Sequence, residues 1–528
     1  MNEARPLLIH AAAVHSCDAP AAAADAVLVR GSRIAAVGRR DELRRSAPDA
    51  RLLDLSGTVL TPGLTDAHVH LTEWALGRRD ADLADTDSPA AAVATLRAHQ
   101  HPPAGWIRGR GWNPHRWQGQ EPTRAPLDHA FPNRPVALQS HDMHALWVNG
   151  AALRAAGITA ATADPPGGRI VRDDHGDPTG LLLETAGELV IGVLPVPTAS
   201  DVADAVAAAQ PALHGFGITG VHSFPGIALP EPDPLEVLQL LRERGRLRLR
   251  VLQHIRADRL EHAIALGLRS GFGDAWLRIG GIKLFLDGAL GSRTAWLREP
   301  YEGSAARGVC VLPEPEFRAI ACRATAAGLA LTVHAIGDAA VSLALDVLGD
   351  PALPRPALPH RIEHVQCCPA ERLGDAGRAG IIASVQPCHL ISDWRAADRH
   401  WGPQRARHTY AFASLERGGA VLAFGSDAPV EPIDPRRSLY AAVQRQDLVG
   451  EPAGGWYADE RLDALSALRA FTAGPALAAG AAGDLGVLAP GALADLVAWD
   501  RDPLRCEPAE LLSLRAVATV IDGELVND

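Results

Sequence analysis

The sequence predicts an α/β fold: a (β/α)8 TIM-like barrel with a small composite β-sandwich from both chain termini and an inserted subdomain. Three observations carry this. Eight short hydrophobic segments recur through the middle of the chain, most of them followed by Ala/Leu/Arg-rich stretches of helical character. The two ends share a different texture, short β-like runs separated by turn signals. The gap between the first and second hydrophobic segments is too long for one helix. Buried, uninterrupted strands alternating with helices are what a closed parallel barrel requires.

Taken in order, residues 1–62 open with "PLLIHAAAVHSCDA", "AVLVRGSRIAAVG" and "RLLDLSGTVL", and comparable runs return in 480–528 as "GDLGVLAPGALADLVAWDRDP" and "AVATVIDGELV". Neither end can bury much core alone, so the two are expected to pair. The opening run resembles a weak signal peptide, but it lacks a basic start directly before a clean apolar core and reads as a strand. Within 63–479 the barrel segments are "GLTDAHVH" (63–70), "GITGVHSF" (217–224), "LRLRVLQHI" (247–255) and "GGIKLFLDG" (280–288). They continue with "LALTVHAIGD" (329–338), "HRIEHVQ" (360–366), "GIIASVQP" (380–387) and "GAVLAFGSDAP" (419–429). The inserted subdomain falls at about 75–210 and contains "GRGWNPHRWQGQEPTRAPLD" and "SHDMHALWVNGAAL".

Composition narrows the function. The 528 residues are 47% hydrophobic and 21% charged, the balance of a soluble globular protein. A net charge of −11 with no Lys/Arg cluster argues against nucleic acid or an anionic membrane as partner. No run of about 18 apolar residues suggests a membrane span. Seven cysteines, odd in number and without a C-x-x-C spacing, point to a reduced interior and a cytoplasmic location. Adjacent Cys367 and Cys368 read as packing residues. The expected partner is a small-molecule substrate, and a homo-oligomer stays open.

Catalytic groups of such barrels sit at the C-terminal ends of strands. There the chain carries His68 and His70 on the first segment, Lys283 on the fourth, His334 on the fifth, His364 on the sixth and Asp427 on the eighth. Residues i and i+2 of a strand share a face, so His68 and His70 project together and can share a metal. Each residue also has a plain structural reading: a satisfied core histidine, a snorkelling lysine, an Asx-turn aspartate. Six together at matching strand ends favour a site.

The motifs "TPGLTDAHVHL", "GRGWNPHRW", "VALQSHDMHALWVNGAAL", "GIKLFLDGALGSRTAWL", "VHAIGDAA", "RIEHVQ", "AFGSDAPVEP" and "GALADLVAWDRDPL" run in this order over nearly the full length. With them the chain resembles the metal-dependent amidohydrolases, in the branch of YtcJ-like proteins and N-substituted formamide deformylase. The resemblance implies one or two divalent ions per chain, zinc foremost, at His68, His70, Lys283, His334, His364 and Asp427. A cationic ammonium would repel a metal, so Lys283 serves as a neutral amine or as a carbamate formed with CO2. The implied activity is hydrolysis of a C–N amide-type bond (N-formyl, N-acyl, carbamate or cyclic amide). A metal-activated hydroxide attacks, and Asp427 acts as general base and acid.

Candidates for substrate contact are His144 and Asp142 in the insertion, Asp287 and Arg293 in "LFLDGALGSRTAWL", and His222 in "VHSF". The rival readings are a hydrogen-bonded helix start for the first pair, an ion pair for the second and core packing for His222. His141 is extra to the family motif. Trp112, Trp117, Trp147, Trp296 and Trp394 suggest an aromatic pocket wall or simple core. Fold and metal do not fix the substrate: a deaminase, a lactonase, a decarboxylase or a non-catalytic scaffold could use the same frame.

Overall fold

A computed structural model describes residues 5–17, 24–101, 105–117, 120–141, 144–226 and 230–527. Two compact units are present, one of Met1–Leu71, Ala209–Pro225 and Leu241–Asp528, the other of Thr72–Ala208 and Gly226–Leu240.

The first unit holds an eight-stranded parallel sheet: β1 (Leu64–Val69), β2 (Ile218–Ser223), β3 (Arg250–Arg256), β4 (Leu277–Phe285), β5 (Leu331–Ala335), β6 (Arg361–His364), β7 (Ile382–Val385) and β8 (Leu422–Phe424). Strand order in space follows order in sequence. Each of the eight hydrophobic segments supplies one strand, so the predicted barrel is present. Closure comes just beyond β8. The Asp427 N–H donates to His68 O at 2.7 Å, the His70 N–H donates to Ala428 O at 2.9 Å, and Val69 bridges Ala428. Gly425 permits this approach, since a Cβ there would lie 2.6 Å from the Cβ of His68. Buried Asp66 reinforces the seam, accepting from the His68 N–H at 3.1 Å and the Ser426 N–H at 3.0 Å.

Both chain ends enter one seven-stranded sheet. Arg51–Pro62 lies between Leu7–Val14 and Leu496–Trp499, running parallel to the first and antiparallel to the second. Leu7, Ile9, Val27, Ile34 and Leu60 share an apolar core with Leu496, Ala498 and Val520. The sheet curls on itself, because a Cβ on Gly523 in one hairpin turn would meet the carbonyl oxygen of Gly31 in another at 2.4 Å. Arg250 at the start of β3 anchors this sheet to the barrel. Its guanidinium donates to both oxygens of Asp495, at 2.5 and 2.8 Å, and to Asp522 at 3.0 Å.

The second unit is built on a six-stranded sheet in the order Gly168–Arg172, Pro178–Glu184, Ala145–Val148, Val136–Ser140, Ile107–Trp112 and Ala81–Asp82. Its core is aromatic. Trp112 and Trp117 stack at 5.3 Å, and Trp147 meets both edge-on. The three indoles are buried and donate to the carbonyls of Leu138, Thr86 and Thr123. These tryptophans are therefore core, not pocket wall. Among the described residues no helix is long and apolar enough to cross a membrane.

Candidate metal centre

His68 and His70 leave the end of β1 with ring centroids 5.6 Å apart. The Nδ1 of His68 lies 2.6 Å from Glu363 Oε2, and that of His70 lies 2.6 Å from the carbonyl oxygen of Pro225. Both acceptors require a donor, so each Nδ1 carries the proton and each Nε2 the lone pair. The two Nε2 atoms then face Asp427 Oδ1 at 3.3 and 3.4 Å. Lone pairs opposed to a carboxylate oxygen inside a protein repel unless a cation stands among them. The Nε2 of His68 is buried without a hydrogen-bond partner among the described residues, and ligand atoms of all three residues lie within 4.8 Å of one another. This donor set fits a divalent metal.

Two further imidazoles extend the cluster. The ring of His364 is 5.1 Å from that of His68 and 4.5 Å from that of His334. His364 Nδ1 donates to Gln386 Oε1 at 2.8 Å, and His334 Nε2 donates to Gly288 O at 3.0 Å. Each ring keeps one lone-pair nitrogen, on Nε2 and Nδ1 respectively. Burial pushes the His68 imidazole down to about 4 and that of His334 to about 3, and holds His364 well below its ordinary value. All three are neutral at pH 7, the form that ligates. Burial opposes charge on Asp427, and its carboxyl is held well below the usual range only by positive charge at the surrounding histidines, His68 foremost, a role that a divalent ion would take beside neutral imidazoles.

Lys283 is buried near the end of β4, its Nζ 4.7 Å from the ring centre of Phe224 and 4.8 Å from that of Phe285. Burial brings its amine down from 10.5 to about 8, against the opposing pull of Glu363 and Asp427. Two site residues sit on left-handed backbone, His364 at φ 75° and Asp427 at φ 60°. Such conformations cost non-glycine residues on the order of 1–3 kcal/mol and persist where surrounding structure over-determines them.

Underneath lies an ionic layer absent from the sequence reading. Arg361 on β6 donates to Glu363 at 2.5 and 3.2 Å, to Ala67 O at 2.6 Å, to Ser384 Oγ at 2.5 Å and to His222 Nδ1 at 2.8 Å. Glu363 thus joins a guanidinium to the His68 ring. Burial opposes its charge, but Arg361 and then His68 hold the carboxyl well below its usual range. One face of the His68 ring stacks on Phe224, centroids 3.9 Å apart. His389, also unforeseen, starts the helix Pro387–Ala406 and places Nε2 3.5 Å from Asp427 Oδ2. The sequence signal for Glu363 was its place beside His364 in "RIEHVQ"; for His389, its place just past β7.

The expected substrate residues separate. His222 is buried against Arg361, on the side of core packing. Asp287 accepts from the backbone N–H groups of Gly337 at 2.7 Å, Trp296 at 2.9 Å and Ile336 at 3.0 Å. Those donors tie its carboxylate to the loops after β4 and β5, and Oδ1 also lies 3.5 Å from His334 Nε2. Arg293 is exposed and forms no ion pair with it. In the second unit, exposed His144 pairs with Glu184 at 2.9 Å, and His141 is exposed. Asp142 lies outside the described residues.

Neutral imidazoles converging with a carboxylate at the C-terminal ends of a (β/α)8 barrel define a class, the barrel hydrolases that work with a metal. The amidohydrolase family model matches residues 51–527, and a bacterial imidazolonepropionase-like composite domain matches residues 26–50. The chain belongs to the amidohydrolase family. It is 32% identical to YtcJ of Bacillus subtilis (strain 168), whose name assigns it to the amidohydrolases, over 95% of this chain and 96% of that one. It is also 32% identical to the N-substituted formamide deformylase of Arthrobacter pascens, over 99% of each. Among solved structures, an uncharacterized metal-dependent hydrolase from Pyrococcus horikoshii OT3 superposes with a TM-score of 0.80 at 27% identity, over 95% of this chain and 99% of that one.

Proposed function

We propose that the protein hydrolyses a C–N amide-type bond, N-formyl, N-acyl, carbamate or cyclic amide, with one or two divalent ions, zinc foremost. The observation that carries this reading is the tautomer pattern. The outer nitrogen of each of four imidazoles is hydrogen-bonded, so the inner lone pairs of His68 and His70 turn towards Asp427. Nitrogen and carboxylate ligands suit zinc. The 32% identity to a formamide deformylase over the whole chain supports the bond type.

His68, His70 and Asp427 would hold one ion, His334 and His364 the other. A bound divalent ion supplies Lewis acidity and lowers the pKa of water. Asp427, a carboxylate beside a bound cation, would take the proton of the attacking water on one oxygen and deliver it to the departing nitrogen. Glu363 keeps the His68 proton on Nδ1. Lys283, neutral in part near pH 8, could add CO2 at Nζ and release a proton, and the resulting carbamate would supply an anionic oxygen donor to the site.

The test is turnover by metal-loaded protein of N-formyl amines, N-acyl amino acids, carbamates and cyclic amides, with lactones and deaminase substrates as controls. Hydrolysis confined to the lactones or deaminase substrates overturns the proposed bond type.

A further inference from the structure

Asp427 has two sides. Oδ1 faces His68 and His70, while Oδ2 faces Nε2 of His389 at 3.5 Å. His389 is 8% exposed, and the barrel geometry explains how it gets there: β7 ends at Val385 and the following helix begins at Pro387. On its other side, Nδ1 of His389 lies 3.4 Å from the amide Nε2 of Gln366. With the Gln366 amide nitrogen on that side, Nδ1 accepts and the ring proton stands on Nε2, the atom that faces the Asp427 carboxylate. That N–H is buried and has no hydrogen-bond partner among the described residues. At 3.5 Å its contact with Asp427 Oδ2 is longer than an ordinary N–H···O hydrogen bond. A buried donor without an acceptor is costly and calls for an explanation such as a ligand.

Resting on the proposed amide hydrolysis, we infer that His389 is a substrate-binding catalytic residue whose Nε2–H donates to the carbonyl oxygen of the scissile amide. As water adds to the carbonyl carbon, the C=O pair moves onto that oxygen, and the hydrogen bond strengthens with the negative charge. A fixed donor of this kind acts mainly on the transition state. His389 stands beside the carboxylate proposed to move the proton, so its Nε2–H is within reach of an amide that reacts there. No protonation change at His389 is required.

The experiment compares the metal-loaded parent with His389→Ala and with His389→Gln, whose amide N–H can stand in for Nε2–H. Expected are unchanged metal stoichiometry, a kcat lowered about 100- to 1000-fold by alanine with KM changed less than threefold, and recovery of at least tenfold by glutamine. Inorganic phosphate, a tetrahedral oxyanion probe, should bind the alanine variant at least tenfold more weakly than the parent. Loss of metal from the alanine variant overturns the inference by making His389 a ligand. A kcat within threefold of the parent also overturns it. If the parent turns over no amide, the proposed reaction fails on its own, and phosphate decides: equal binding by parent and variant, or none by the parent, refutes the His389 assignment.

Discussion

Glu363→Gln changes one atom of the site and separates two jobs of this carboxylate. Glu363 is fully buried, Arg361 is 2% exposed, and the carboxylate receives Arg361 Nε at 2.5 Å, Arg361 Nη2 at 3.2 Å and His68 Nδ1 at 2.6 Å. Glutamine keeps the shape but offers one acceptor oxygen. If that oxygen stays on the guanidinium, the amide NH2 faces His68 Nδ1 and drives its proton to Nε2, the atom directed at Asp427. Metal affinity should then fall about 10- to 100-fold, or roughly 1.4–2.7 kcal/mol. Arg361 also loses its counter-charge, and breaking a buried ion pair costs about 3–5 kcal/mol. Ala67 O, Ser384 and His222 remain as partners and should hold the loss at the lower end. Chelator-competition titration reads the first quantity and urea unfolding of metal-free protein the second. A metal affinity within threefold of the parent, together with an unchanged urea midpoint, would refute the positioning argument.

Replacing His68 and His70 by alanine together should abolish tight metal binding and activity, checked by elemental analysis after dialysis. Lys283→Met should stabilise the metal-free protein at pH 7. Burial lowers the lysine from 10.5 to about 8, so the folded state carries a cost of about 3 kcal/mol below pH 8. The unfolded chain binds the extra proton between those values, so the cost is relieved as pH rises from 8 towards 10.5. The advantage of the methionine variant should shrink over that window, and a pH-independent difference in urea unfolding would contradict this. Removing residues 480–528 takes away three strands of the terminal sheet and the Asp495 and Asp522 partners of Arg250. Limited proteolysis should then cut within 5–62, where the full chain resists.

Much of this was legible in the residue pattern because parallel barrel strands are buried on both sides and read as uninterrupted apolar runs. "GIIASVQP" and "GAVLAFGSDAP" announce β7 and β8 without any help from partners. The metal candidates were legible for a related reason, since polar residues at the ends of such runs stand out. What escaped depends on backbone that no alternation rule anticipates. Along β6, Glu363 and His364 should point to opposite faces, and only one should reach the site. His364 adopts φ 75°, and both end up next to His68, one at 2.6 Å through its carboxylate and the other with rings 5.1 Å apart. His389 escaped because it lies beyond its strand, on a helix whose direction the sequence does not disclose. Asp287 shows the opposite case. Its charge suggested substrate, and the fold sets against it three backbone N–H groups, Trp296 of its own loop and Ile336 and Gly337 after β5.

The central claim is that the imidazoles and Asp427 hold metal beside Lys283. Its most direct test is a crystal of protein loaded with zinc and bicarbonate, measured on both sides of the zinc absorption edge. The account predicts an anomalous peak bound by Nε2 of His68, Nε2 of His70 and the Asp427 carboxylate, a second near His334 and His364, and planar density extending from Lys283 Nζ to the metal. Folded protein with no anomalous peak at His68, His70 and Asp427, and no zinc taken up in a parallel titration, would contradict it.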